Sequence, residues 1–432
     1  MHGDDKKPGT GSSKQWWKSA LPECQPQTRV LSAGYDPELS EMSVKVPIFT
    51  TSTFLFKTAE EGERFFYLQN HPEARGDGSE LGLIYSRMNN PNMEIAEDKL
   101  MVFESGAEAA AVLPSGMSAI STMCLALLKP DVVVIYSFPI YGATEHLFDD
   151  VLSKFGIKAQ AVFSNDTEEY RLAIEKHKGH VAMLFIETPA NPSMVHTDIE
   201  AIVNLAKSYE KSNGRILVAV DNTFMGPIFQ SCFPLGADLV VYSATKFIGG
   251  HSDLIGGFVL GKKSEMMRIK AYRSVLGPTT DPFCCWLIAR SLETIDLRMR
   301  KSAENAMLVA EFLKDHPKVA RVIYPGLLQE CDPQYSIYKK QCSGPGALIS
   351  FDIKGGKAEA FRALNAVRVC RLAVSLGGTE TLISHPRGMT HQNLPEEMCQ
   401  KVGLTASLIR ISVGLEDPRD IIADLDQALA KI

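Results

Sequence analysis

Two short apolar runs near the middle of the chain each end in residues equipped for chemistry. The first, 216–220, runs into the carboxylate of Asp221 and then Asn222-Thr223. The second, 239–242, runs into Ser243-Ala244-Thr245-Lys246, two hydroxyls and an amine, with Gly249-Gly250 soon after. Both runs are rich in branched residues and bounded by Gly, Asp or Ser, the pattern of buried strands. In open α/β sheets ligands sit beyond the carboxyl ends of the strands. Carboxylate, hydroxyls and amine are therefore expected to meet at one edge, with glycines that let a ligand approach the backbone.

One small molecule suits that set. Pyridoxal 5′-phosphate has an aldehyde that condenses with a lysine amine, a ring nitrogen that favours a carboxylate, and a phosphate that takes hydroxyls and backbone N–H groups. A lysine among apolar neighbours and beside a cation has a lowered pKa and serves as nucleophile and later as base. Taken alone, a lysine after a core strand is usually a surface residue. The stretch also reads Ser-x-x-Lys, the pattern of serine acyl-transferases, but Ser208 with Lys211 and Ser336 with Lys339 share it. No Lys-Thr-Gly or Ser-Asp-Asn accompanies any of the three.

Ser243-Ala244-Thr245-Lys246, followed by Gly250-His251-Ser252-Asp253, resembles the cofactor-lysine segment of the Cys/Met-metabolism family of pyridoxal-phosphate enzymes. That family includes methionine γ-lyase, cystathionine γ-lyase and cystathionine γ-synthase. The resemblance runs from about Val46 to the C-terminus, with its motifs in order. It implies an α/β protein of the fold type I transferase class: a large domain on a mostly parallel, doubly wound sheet, a smaller C-terminal α+β domain and an N-terminal arm. The expected divisions are 1–89 for tail and intersubunit arm, 90–297 for the cofactor-binding domain and 298–432 for the C-terminal domain.

The resemblance also assigns roles to further residues. In Tyr85-Ser86-Arg87, a guanidinium fork and a phenol can grip a phosphate dianion, and the family uses them on the neighbouring subunit's cofactor. Read alone, the pair is as easily a surface turn. Asn92 stands where the family usually has Thr after Asn-Pro. Ser115-Gly116-Met117 is a turn opening a helix, where free N–H groups and the helix dipole favour phosphate. Tyr141, beyond a strand tip, can lie on an aromatic ring; the family gives it acid–base work on the leaving group. Asn191 matches the asparagine that bonds the cofactor's ring hydroxyl. Asp221, Thr223, Ser243, Thr245 and Lys246 complete the expected cofactor set. Arg410 lies between apolar residues, where burial is costly without a partner. The family's arginine there holds the substrate α-carboxylate, while a salt bridge to Asp or Glu is the plain alternative. Ser375, Thr390 and Tyr85 are the other expected substrate contacts. Lys246 and Tyr141 are the expected catalytic residues.

The implied activity is carbon–sulfur lysis of a sulfur amino acid by α,γ-elimination, giving a 2-oxo acid, ammonia and a thiol. Family members that handle cystathionine often carry Glu before Ser-Leu-Gly; here Ala373-Val374 precede Ser375, which favours an uncharged side chain such as methionine's. Against this, methionine γ-lyases often have Cys where this chain has Ala143, and Pro278 and the long stretch 71–82 are unusual. γ-Replacement on an O-acylhomoserine is therefore the alternative. A non-catalytic relative is expected to lose Lys246, Asp221 or Arg410, and all three are present.

The elements that position these residues follow from periodicity. Strands are expected at 132–136 and 181–186, and helices at 95–110, 118–128 and 197–209, with Glu94, Glu97 and Lys99 facing outward. Alternating strands and helices across 132–258 argue for a parallel sheet. Beyond 296 the pattern changes to helix 299–314, strands 319–324 and 347–353, helix 357–365 and a terminal amphipathic helix 420–432. Residues 46–90 carry few helix or strand signals. Phe49, Phe54, Phe56, Phe65, Phe66 and Tyr67 mark them as an arm that must pack on something else.

Composition narrows the remaining classes. The 432 residues are 45% apolar and 22% charged, with a net charge of −6, which argues against a nucleic-acid footprint. No apolar run has the length of a membrane span, and the polar N-terminus has no apolar signal core. That N-terminus reads as a mobile tail whose Trp16-Trp17 docks weakly on a neighbouring subunit. Nine cysteines, scattered and odd in number, with Cys284 and Cys285 adjacent, fit reduced thiols in a cytoplasmic protein. The ten histidines form no metal-ligand spacing. A phosphate site shared between subunits implies at least a dimer, and the family resemblance implies a homotetramer.

Overall fold

The computed structural model describes residues 23–75, 82–163, 165–392 and 394–432. Seven strands form the larger sheet: β1 (Ala109–Leu113), β2 (Val133–Phe138), β3 (Lys158–Phe163), β4 (Val181–Glu187), β5 (Leu217–Asp221), β6 (Leu239–Ser243) and β7 (Gly257–Gly261). Their order is β1-β7-β6-β5-β4-β2-β3. The run from β6 through β3 is parallel. β7 is antiparallel to both its neighbours. The segment between β6 and β7 contains no helix. Without a crossover the chain can only return antiparallel, and this hairpin-like return carries Lys246. Apolar clusters lie on both faces of the sheet, as a doubly wound arrangement requires.

The helix expected at 95–110 is Pro91–Met101 instead, capped by the Asn90 side chain. The chain then turns through Gly106, whose φ is +103°, and enters β1. Ala109, Ala110 and Ala111 favour helix by propensity, but pairing with β7 at the margin of the sheet, where this strand is buried, overrides it. Glu97 and Lys99, expected outside, are buried. Each has partners that make this tolerable: Glu97 receives Lys270 and Arg273 at 2.6 and 2.8 Å, and Lys99 donates to the Val30 carbonyl and Glu293. These pairs hold the start of the large sheet to the helices Lys263–Leu276 and Pro282–Leu292.

The arm contains a helix, Ala59–Asn70, that the sequence reading did not anticipate. Its signal was present as Thr58-Ala-Glu-Glu61: the Thr58 hydroxyl accepts from Glu61 N and the Glu61 carboxylate from Lys57 N, near to a capping box. Phe65 is buried, whereas Phe66 and Tyr67 stay exposed. A 3₁₀ turn, Pro72–Arg75, follows. Residues 76–81 of the expected loop and Trp16-Trp17 lie outside the described residues.

A second sheet, β10-β11-β12-β9-β8, is built from β8 (Val319–Ile323), β9 (Leu348–Ile353), β10 (Arg371–Leu372), β11 (Leu382–Ser384) and β12 (Leu408–Ser412). It is antiparallel except between β10 and β11. Helices Ile295–Asp315, Lys357–Ala366 and Pro418–Leu429 belong to the same part of the chain. For the site, its main contribution is β12, which carries Arg410, and the loop after β10, which carries Ser375. Among the described residues no helix is long and apolar enough to cross a membrane.

Candidate active site

Asp221 ends β5 and Ser243 ends β6, so the sheet itself sets them side by side. Thr223 joins the two tips. Its backbone N–H and hydroxyl both donate to Asp221 Oδ1, at 3.1 and 2.6 Å, and its Oγ1 accepts from Ser243 N at 2.9 Å. Burial pushes the Asp221 carboxyl up from its ordinary range, and the two Thr223 bonds partly oppose this.

Lys246 follows in a tight turn, its N–H bonded to the Ser243 carbonyl. Its ammonium donates to Ser375 Oγ at 2.7 Å. Burial lowers the amine to about 8, and the nearby Arg410 charge adds to the effect. Ser375 has a φ of +92°, a costly conformation for a residue with a Cβ. Gly377, φ +78°, seats this loop on the lysine segment. A Cβ there would lie 2.7 Å from Phe247 N and 3.0 Å from Lys246 C.

Arg410 is buried in mid-strand. Its Nη1 donates to Asn191 Oδ1 at 3.0 Å and its Nη2 to the Ser375 carbonyl at 2.9 Å. Its Nε is buried with no hydrogen-bond partner. Among the described residues no carboxylate forms an ion pair with it at salt-bridge distance. The salt-bridge alternative considered for this residue is therefore not what the fold provides. A buried guanidinium with a free N–H is prepared for an anion that comes from outside.

Sequence reasoning passed over Glu187. It ends β4 opposite Asp221 of β5 and is buried. Oε2 accepts from Tyr141 N at 2.8 Å and Oε1 from Asn191 N at 3.1 Å. Burial and the neighbouring Asp221 charge both push its carboxyl up. Its signal in the sequence was the same as for Asp221: an acid closing an apolar strand before a loop. His391 was also passed over. It is buried next to Thr390, whose Oγ1 lies 2.8 Å from its Nδ1. Burial and Arg410 lower the imidazole to about 4, so it is neutral.

The turn Ser115-Gly116-Met117 opens the helix Gly116–Leu127, with Ser115 capping Ser118 N. It packs directly on the β6–β7 edge: a Cβ on Gly116 would come within 3.0 Å of Ser243 Cβ, and one on Gly257 would overlap the Ser115 carbonyl. Met117 Sδ receives the Thr144 hydroxyl, three residues past Tyr141. The Tyr141 side chain is 49% exposed, open to whatever enters. Gly142, next to it, faces the Thr390 carbonyl. The Thr245 hydroxyl is within bonding reach of both Gly256 O and Gly256 N, so it braces the loop that carries Lys246.

Contacts thus close a circuit through Lys246, Ser375, Arg410, Asn191, Glu187, Asp221, Thr223 and Ser243. Tyr85 and Arg87 lie outside it. Arg87 donates to the Ser274 carbonyl and Thr279 to the Arg87 carbonyl, while Tyr85 is 41% exposed and bridges to Thr53.

The donor set fits pyridoxal phosphate. The amine is depressed toward neutrality. Two neighbouring carboxyls, the half-buried Asp221 and the buried Glu187, are both raised, so a cationic ring nitrogen against Asp221 would relieve them. A glycine-bearing helix start supplies N–H groups beside the Ser243 hydroxyl.

Comparison with known proteins agrees. The family described as Cys/Met metabolism PLP-dependent enzyme matches residues 27–430. L-methionine gamma-lyase of Fusobacterium nucleatum subsp. polymorphum is 41% identical over 392 residues, 90% of this chain and 94% of that one. O-succinylhomoserine sulfhydrylase of Pseudomonas aeruginosa is 36% identical over 385 residues, 89% and 90% of the two chains. The crystal structure of cystathionine gamma-lyase from Lactobacillus plantarum, complexed with L-serine, superposes with a TM-score of 0.82 at 32% identity, covering 95% of this chain and 99% of that one.

Proposed function

Because the chain belongs to the Cys/Met-metabolism family of PLP-dependent enzymes, we propose that it is a carbon–sulfur lyase acting by α,γ-elimination on methionine or homocysteine, releasing 2-oxobutyrate, ammonia and a thiol. The observation that carries this reading is the buried, unpaired Nε edge of Arg410 in the circuit that holds the Lys246 amine. An α-carboxylate on Arg410 would present Cα to the side of the site where the amine waits.

Asp221, Thr223, Ser243, Ser115, Gly116 and Met117 would hold the cofactor, with Asn191 and Thr245 bracing the edges. Bound pyridoxal phosphate supplies an electron sink for the charge left when a carbon beside the amino group loses its proton. Lys246 Nζ takes the proton from Cα, and being a base near neutrality it can also return it. Ser375 Oγ orients that nitrogen. Once the first proton has been passed on, Lys246 Nζ takes a second from Cβ, Tyr141 donates the proton that lets the γ-sulfur depart as a thiol, and water replaces the amino group of the released product to give 2-oxobutyrate and ammonia. Thr390 lines the mouth opposite Gly142.

Val374, 55% exposed beside Ser375, is uncharged and offers nothing to a distal ammonium, which supports a thioether side chain. Ala143 supports the second reading, γ-replacement on an O-acylhomoserine, as does the likeness to the sulfhydrylase. We further propose a cytoplasmic homotetramer in which Tyr85 and Arg87, outside their own chain's circuit, serve the phosphate and substrate of a second copy. The arm and tail (1–89), the cofactor-binding part (90–297) and the C-terminal part (298–432) are proposed as its working divisions.

A paired assay tests the reaction. With cofactor added, L-methionine alone is read for 2-oxobutyrate and volatile thiol, and O-acylhomoserine with cysteine is read for cystathionine. Keto acid from methionine that is lost in Lys246→Ala supports the lyase. Cystathionine with little keto acid makes the chain a γ-replacement enzyme instead.

A further inference from the structure

Glu187 is the one carboxylate of the circuit to which the proposed reaction gives no work. Its surroundings give it one. The two oxygens of a single buried side chain accept from two backbone N–H groups on different loops: Tyr141 N at 2.8 Å and Asn191 N at 3.1 Å. Its own N–H donates to Ser137 Oγ at 2.8 Å, which fixes the strand end from which it reaches. Tyr141 closes the short segment after β2, just before the helix Gly142–His146, and Asn191 sits in the loop after β4. Among the described residues, the hydrogen bonds to these two N–H groups from outside their own loops both come from Glu187. Asn191 in turn accepts from Arg410 Nη1 at 3.0 Å. A line of hydrogen bonds therefore runs Arg410–Asn191–Glu187–Tyr141.

We propose that Glu187 is a positioning residue that ties the Tyr141 loop to the Asn191 loop, so that an anion seated on Arg410 and the phenol of Tyr141 are held in one fixed relation. This rests on the reading of Tyr141 and Arg410 given above. The tie needs both oxygens as acceptors and the full side-chain length. A glutamine has one acceptor oxygen and turns an NH₂ toward the other N–H, which leaves one of the two amides facing a donor. An aspartate keeps the charge but is one methylene shorter and cannot bridge both. Loss of the tie does not remove any group that touches substrate. It loosens where Tyr141 stands, and an error of about 1 Å in a catalytic group can cost about 100-fold in rate.

The test has two readouts. The first is amide hydrogen exchange on the cofactor-free protein, which does not depend on any reaction. In Glu187→Asp and Glu187→Gln, exchange at Tyr141 or Asn191 should rise at least tenfold over wild type, while amides of the neighbouring strand, such as Phe185, stay unchanged. The second is steady-state kinetics of the cofactor-loaded enzyme on whichever substrate the paired assay identifies. There kcat should fall by about 10- to 100-fold with KM changed less than threefold, because Arg410 keeps its bond to the Ser375 carbonyl and its unpaired Nε. Unchanged exchange at both amides in both variants overturns the tie, whatever the activity. Faster exchange with an unchanged kcat overturns the positioning role but leaves the tie standing. Full activity in Glu187→Asp with loss in Glu187→Gln assigns the effect to charge and overturns the bridging argument. If Glu187→Gln fails to fold, Glu187→Asp carries both readouts.

Discussion

The Lys246 ammonium reaches Ser375 Oγ at 2.7 Å, and Ser375 makes that contact from a backbone held at φ +92°. A side chain at this φ costs about 1–3 kcal/mol, and the strain is located where the hydroxyl meets the amine. Ser375→Gly should relieve the strain and lose the hydroxyl together, whereas Ser375→Ala loses the hydroxyl and keeps the strain. Both variants are expected to lose activity. The thermal midpoint of Ser375→Gly should be at least that of wild type and above that of Ser375→Ala, since the entropy cost of glycine, about 0.5–1 kcal/mol, is smaller than the strain. Equal midpoints for the two variants would remove the strain argument.

Cofactor capture requires the neutral Lys246 amine. With that amine lowered to about 8 by burial and by Arg410, roughly one molecule in ten is neutral at pH 7. The rate at which apoprotein takes up pyridoxal phosphate should rise with pH and level off with a midpoint near 8. Replacing Arg410 by Met removes the charge that disfavours the ammonium, so the midpoint should move upward. A wild-type midpoint near that of free lysine would show the amine to be solvated.

Arg410→Lys keeps a positive charge and discards the fork that contacts Asn191, Ser375 and the open Nε edge. Loss of one charge-assisted bond to the substrate carboxylate is worth about 1.5–3 kcal/mol, roughly 10- to 150-fold in kcat/KM. Most of the change should appear in KM. An unaltered KM for the amino acid in Arg410→Lys would move the carboxylate elsewhere.

Away from the reaction, Glu104 is buried with the Tyr242 hydroxyl as its donor. Burial raises its carboxyl to about 8, and the Tyr242 bond only partly opposes this. The folded chain therefore keeps a proton that the unfolded chain releases above its ordinary carboxylate range. Where the folded state binds more protons, stability falls as pH rises. From this group the loss begins above about 4.5 and is complete beyond about 8. Glu104→Gln carries no titration, so it should gain on wild type by about 2–4 kcal/mol between pH 5 and pH 8, read by urea unfolding of the apoprotein at both values. A constant difference across that range would count against a buried neutral acid.

Much of the site was legible in the sequence because its chemistry sits at strand tips. A short branched run closing in Asp221, and another closing in Ser243 and Lys246, define both the strand and what it presents. The sheet edge then brings the tips together without further instruction. The strands at 132–136 and 181–186 and the helix at 197–209 followed from periodicity for the same local reason, whereas β3, the helix Thr167–Lys176 and β7 were not anticipated. The sequence did not reveal β1, where an alanine run with helical propensity became a buried strand. Nor did it show that Glu97 and Lys99 turn inward, because their partners Arg273 and Glu293 lie far along the chain.

Pattern in the sequence therefore argued for the α/β class and offered a lysine and a carboxylate suited to one cofactor, and the family resemblance carried in the motifs singled out that cofactor and the arginine. Only the tertiary structure decided how they are joined. Arg410 and Asn191 are 219 residues apart, and Lys246 and Ser375 are 129 apart. No local pattern encodes such a contact, since it depends on how β12 and the loop after β10 meet the loops after β4 and β6. The role of Glu187 belongs to the same class. An acid at a strand end is visible in a sequence, but two backbone amides converging on its oxygens exist only after the loops that follow β2 and β4 have been brought together.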